Sequence, residues 1–202
     1  MDQHTNEKAR QKDLDVWIIK YYHMADRQPV FLVWYTDVDE NGTDKLFTFK
    51  TGEIFATTSL ERLKETVVQN LRHTNDFENL KEWLMLPDQE QPYFYPIDTI
   101  CNAIKLKNYD HQTLEVMTNF INLFGDFVYQ NESNLHLKPL MDQKHIRKVW
   151  DYYYNAVFWP RFNDKQKFET WKGPVFRVNA KKLEEEFWRL ITCFEENMII
   201  VR

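Results

Sequence analysis

In residues 30–38 apolar side chains occupy both faces of an alternating pattern, with Phe31, Val33 and Tyr35 on one side and Val30, Leu32 and Trp34 on the other. That pattern predicts a strand buried on both faces. A polar run from Asp37 to Asp44 ends it, and Asn41-Gly42 supplies the positive φ angles of a tight reversal. Residues 46–51, with Phe47 and Phe49 alternating against Thr48 and Lys50, read as a half-buried antiparallel partner. Thr51-Gly52 marks a second turn before a strand at residues 54–56. Residues 14–22 fit a helical stripe through Leu14, Trp17, Ile18 and Tyr21, yet their β-branched and aromatic density favours a strand. A strand is expected, because residues 23–28 then connect it to the next one and three strands cover a core better than two.

After residue 57 the period changes to that of helices. Thr58 and Glu61 form a capping box ahead of Leu60, Leu63, Val67 and Leu71. A short helix over residues 76–86, capped by Asn75, turns Phe77, Leu80 and Leu84 inward and stops at Pro87. Residues 87–96 read as a long loop with three prolines. Ile97, Ile100, Cys101 and Ile104 make the next stripe, and Leu114, Met117, Ile121, Phe124 and Val128 the one after, from Asp110. Residues 130–140 read as a loop. From Asp142 a helix turns Ile146, Val149, Trp150, Tyr153 and Val157 inward and ends at Pro160. Residues 175–178 suit a short strand. Asn179 caps a last helix that buries Leu183, Phe187, Leu190, Ile191 and Phe194, with surface pairs Lys181–Glu185 and Lys182–Glu186. Residues 198–201 suit a final strand. The expected fold class is α+β, a small antiparallel N-terminal sheet packed by a predominantly helical C-terminal body. Residues 1–13, polar throughout, are expected to be a flexible tail ahead of a single domain over residues 14–202.

Composition narrows the chemistry. Aromatics make up 16% of the 202 residues, with 7 Trp, 10 Tyr and 15 Phe, so many large rings must be buried or held as contact surface. The 4 glycines leave little room for a Gly-lined phosphate site. A net charge of -5 argues against a direct nucleic-acid binder and suits a basic partner. Two cysteines are too few for a disulfide framework, and neither a leader pattern nor a membrane-length apolar run is present, so a cytoplasmic protein is the expectation.

Asp37, Asp39, Asn41 and Gly42 match the first half of an EF-hand loop, but the closing position is Thr48 and the flanks read as strands, so a solvated hairpin tip is expected instead of a calcium site. The six histidines lack zinc-helix spacing, and neither Cys101 nor Cys193 has a close metal-ligating partner, so no metal or cofactor is expected. No nucleophile elbow, Walker loop or dinucleotide fingerprint occurs. An acid/base pair from His136 and His145 near Glu132 is the enzymatic alternative, and an intracellular adaptor is a third. The surplus aromatics among acidic side chains are the candidate binding surface, since rigid rings cover much area at low entropic cost. They are Tyr93 beside Asp88 and Glu90; Tyr152 and Tyr154 beside Asp151; Trp159, Arg161 and Trp171; and the acidic tip Asp37, Asp39, Glu40 and Asp44.

In overall character, an aromatic strand-hairpin over residues 29–64 leading into a helical body, the chain resembles the immunity proteins of bacterial contact-dependent inhibition and related polymorphic toxin systems. That resemblance implies a non-catalytic inhibitor that binds one cognate toxin domain tightly, over or near its active site. The implied toxin is a basic nuclease, with an RNase favoured.

Overall fold

The computed structural model describes residues 14–38, 40, 42–87, 91–171 and 173–202; the expected tail over residues 1–13 lies outside them. The chain falls into two compact units, Met1–Tyr95 with Glu195–Arg202, and Pro96–Phe194. Its fold class is α+β.

The first unit is built on a sheet of six strands. β1 (Val16–His23) and β2 (Gln28–Asp37) form its long antiparallel pair, in register from Val16 opposite Tyr35 to His23 opposite Gln28. β3 (Thr43–Leu46) folds back on β2, with Gly42 at φ +74° closing the reversal in a conformation that glycine adopts freely. β4 (Ile54–Thr57) follows a turn in which Gly52 sits at φ +105°. The remaining two strands make the sheet mixed: β5 (Tyr93–Tyr95) runs parallel to β1, and β6 (Met198–Val201) runs parallel to β4. The order is β5-β1-β2-β4-β6. Residues 87–96, expected to be a loop, therefore contain a strand, which gains its geometry from pairing with β1 and not from local pattern.

Both faces of the central strands are buried, as their sequence predicts. Val16, Ile18, Phe31, Val33 and Tyr35 join Phe47 and Phe55 in a core closed by α1 (Leu63–Asn70) and α2 (Leu80–Met85) through Leu63, Val67, Leu80 and Trp83. On the other face Ile19, Tyr21, Val30 and Leu32 are fully buried. Phe77 stacks on Tyr35 at 4.1 Å between centroids. The expected caps are replaced by others. Ser59, not Thr58, accepts from the Arg62 amide, and Asn75 donates to Thr48 and to the Phe49 carbonyl instead of capping a helix. Leu71 is exposed.

The second unit is helical. α3 (Ile97–Leu106) presents the expected stripe. α4 (His111–Tyr129), capped by Asp110 accepting from the Thr113 amide, is buried on more than one face because Phe120, Leu123 and Phe127 join the predicted stripe. Residues 130–140 are not a loop: Asn131 caps a 3-10 helix (Glu132–Leu137) that runs into α5 (Lys138–Met141). α6 (Lys144–Tyr153) passes through a π-helical segment (Tyr154–Phe158) into α7 (Trp159–Asn163). Pro160 thus sits inside a continuous helical run. Proline lacks an amide and its ring crowds the carbonyl one turn earlier, and the wider turn just before it, with the Trp159 amide bonded to the Tyr154 carbonyl, accommodates that. Trp150, expected inward, is exposed. α8 (Lys165–Thr170) follows, and residues 173–179 form no regular element, so the strand expected over 175–178 is absent among the described residues. α9 (Ala180–Glu196) buries the five predicted side chains, and Phe194 packs among Phe120, Phe124 and Phe127. Its surface pairs differ from expectation: Lys182 meets Glu185 at 2.9 Å, while Glu186 turns to His145.

Candidate functional site

The sequence-derived candidates divide between the two units. In the first, the hairpin-tip carboxylates are partly engaged from within. Lys45 on β3 lies 2.8 Å from both Asp37 and Glu40, and Asp44 accepts a 2.7 Å hydrogen bond from Thr36. Burial works against the Lys45 charge, but hydrogen bonds to Asp37 and Glu40 outweigh it and hold the ammonium above its ordinary value. Asp39, Asp88 and Glu90 lie outside the described residues. Tyr93 projects from β5 and is exposed, with Phe94 beside it under the Lys20 ammonium.

In the second unit the helical run from α6 to α7 gathers the other candidates. One flank is a ladder of rings: Trp150 against Tyr154 at 4.5 Å, Tyr154 against Phe158 at 5.3 Å, then Phe158 with Trp159 and Phe162 at 4.9 and 6.0 Å. Trp150, Trp159 and Phe162 remain 40%, 48% and 73% exposed, so large rings line up in solvent where burial is their usual state. One amide fixes the first two. An indole nitrogen only donates, so Trp150 gives its hydrogen to Asn122 Oδ1 at 2.9 Å, and Asn122 Nδ2 donates to the Tyr154 hydroxyl at 3.0 Å. Arg161 is held by Glu115 at 3.3 Å and reaches the Tyr153 hydroxyl at 3.4 Å. Burial, with the Glu115 charge behind it, pushes the Tyr153 phenol up to about 12.

The neighbouring flank of α6 opens on a groove of about 560 Å³, with Trp171 and Pro174 across it. Tyr152, whose hydroxyl donates to the Pro174 carbonyl at 2.5 Å, ties down the chain there, and Phe176 packs against Tyr152 and Tyr109 at 4.9 and 5.3 Å. Asp151 and Trp171 line this groove. Trp171 also borders a smaller cavity of about 270 Å³ against Pro160 and Phe168.

The histidine pair does not assemble. His136 bonds the Ser133 carbonyl within its own 3-10 turn. His145 meets Glu186 at 2.6 Å, but that carboxylate also accepts from the His145 and Ile146 amides at 2.8 and 3.2 Å. Glu186 is therefore the N-terminal cap that Gln143 does not provide for α6.

The structure thus brings together Asp151, Tyr152, Tyr154, Trp159 and Arg161 along one helical run, with Trp171 across the groove from it, and places the hairpin tip and Tyr93 in the other unit. Phe158, Phe162 and the outward setting of Trp150 escaped sequence reading. The available signal was the aromatic spacing carried across Pro160, which a regular helix would have ended.

No protein-family model matches the chain, and no curated protein matches it significantly. Among solved structures it is similar to the SatS C-terminal domain, determined in complex with bromine, at 10% identity over 94% of this chain and 96% of that one, with a TM-score of 0.56. At that identity the likeness shows the fold alone.

Proposed function

We propose that this protein works by binding another protein through the ring ladder of α6 and α7, as an immunity protein that neutralises a cognate toxin domain without catalysis of its own. The observation that carries this reading is the row of Trp150, Trp159 and Phe162, exposed yet pre-positioned by Asn122 and by ring-on-ring packing. Rings already fixed in place lose little entropy when a partner covers them, which is what binding hot spots require. Arg161, oriented by Glu115, borders them as a polar contact. The hairpin-tip carboxylates contribute less than their number suggests, because Lys45 and Thr36 already engage three of them. Attraction to a basic nuclease is therefore secondary in this proposal to desolvation of the rings.

The test is co-expression with the product of the adjacent upstream reading frame, followed by size exclusion and calorimetry. A stoichiometric complex of nanomolar affinity is expected, weakened about a hundredfold when Trp159 and Phe162 are both changed to Ala. A complex indifferent to both changes would remove the ladder from the interface, and absence of any complex would remove the immunity reading.

A further inference from the structure

We propose that the groove beside α6 is a docking site for an acidic, extended peptide segment of a partner protein. This goes beyond the ring ladder: it concerns the adjacent flank of the helix and stands whether or not the partner is a toxin.

The chain carries a net charge of -5, yet Lys144, Arg147 and Lys148 stand together on one wall of this groove, all exposed, with Asp151 as the single acid lining it. Arg147 has only a 3.6 Å pairing with exposed Asp142, and no ion pair holds Lys144 or Lys148 among the described residues. Helix stability does not explain Lys144 and Arg147, since cations in a first turn oppose the macrodipole. Trp171, Pro174 and Ala156 give the groove an apolar surface next to those charges. The opposite wall is set by the Tyr152 to Pro174 hydrogen bond and by Phe176 between two tyrosines, so the groove exists before any ligand arrives.

Spacing selects the ligand. Lys144 and Lys148 are one helical turn apart, about 5–6 Å between side-chain origins. In an extended peptide, carboxylates two residues apart project from the same face about 6.6–6.8 Å from each other. Acidic residues alternating with others therefore match the cation row, and one apolar side chain covers Trp171 and Pro174. A nucleic-acid strand fits less well, because three cations on an acidic protein neutralise few phosphates.

The probe is a fluorophore-labelled decapeptide that alternates glutamate with serine and carries one central phenylalanine, titrated into the full chain. Micromolar binding is expected, falling with added salt as screening of opposed charges requires. Lys148→Glu should weaken it at least tenfold, while Lys105→Glu, the same charge reversal at an exposed position of α3 outside the groove, should not. Binding should also change the intrinsic tryptophan fluorescence, and Trp171→Phe should remove that change with helicity preserved. The proposal is overturned if the peptide does not bind, if Lys105→Glu weakens it as much as Lys148→Glu does, or if a ten-nucleotide thymidine strand binds in preference.

Discussion

Glu195 is a main anchor of the connection between β1 and β2, where the Asp26 amide also donates to His23 and the Tyr22 hydroxyl to the Arg27 carbonyl. The Glu195 carboxylate accepts from the Tyr21 hydroxyl at 3.1 Å and from the Met24 and Ala25 amides at 2.7 and 3.3 Å, with the His23 ring 3.8 Å away. Hydrogen bonds to a charged, largely buried acceptor each contribute more than neutral ones. Glu195→Gln keeps the shape but loses the charge and one accepting oxygen, and should lower stability by about 2 kcal/mol in urea titration. A second prediction concerns tyrosines. Burial pushes Tyr35 up to about 12, although the Lys45 charge pulls the other way. Its native value exceeds the unfolded value near 10, so the native state keeps a proton that the unfolded chain gives up. The stability this supplies is complete below about pH 10 and is lost as pH rises from there through about 12. Tyr35→Phe removes that ionisation and should move the alkaline unfolding midpoint upward in a circular-dichroism titration; an unchanged midpoint would mean the hydroxyl ionises as freely as in water.

At the scale of elements, the π-helical segment decides how the ring ladder is aligned. π turns inside α-helices recur at functional positions, and this one resets the rotation of everything beyond it, bringing Trp159 and Phe162 into line with Trp150 and Tyr154. Deleting exposed Asn155 would restore a regular helix and rotate α7 by about 100°. It should leave far-ultraviolet circular dichroism nearly unchanged while separating Arg161 from Glu115 and weakening the proposed toxin binding about a hundredfold by calorimetry. Elements whose burial pattern is local were legible in the sequence. β2 was predicted from alternating apolar residues on both faces, and α4 and α9 from unbroken three-four spacing. β5 was not legible, because three aromatic residues between prolines become a strand only through pairing with β1, a long-range event with no local trace. Trp150 misled for a related reason: four residues after Ile146 it fits the inward stripe, but Val149, Tyr153 and Val157 complete the core and leave it on the flank. The acids of the hairpin tip were legible as residues but not as partners of Lys45, since cross-strand pairing depends on register.

At the scale of the whole molecule, the first unit depends on the last few residues of the described chain. β6 covers the β4 edge in register from Ile54 opposite Met198 to Thr57 opposite Val201. An uncovered edge presents unpaired amides and carbonyls. Ending the chain at Asn197 should therefore accelerate amide hydrogen exchange in β4, while amides at the centre of α4 and in the Glu195-anchored β1–β2 turn keep their protection.

The same β4–β6 pairing sets an order of events during synthesis. Residues through Tyr95 leave the ribosome with the β4 edge bare, and about a hundred residues must follow before its partner exists. At roughly 5–20 residues per second that is an interval of about 5–20 s. The helices of Pro96–Phe194 are synthesised within it. The sheet that begins first is thus completed last, and the nascent chain is most open to mispairing at β4 while it waits.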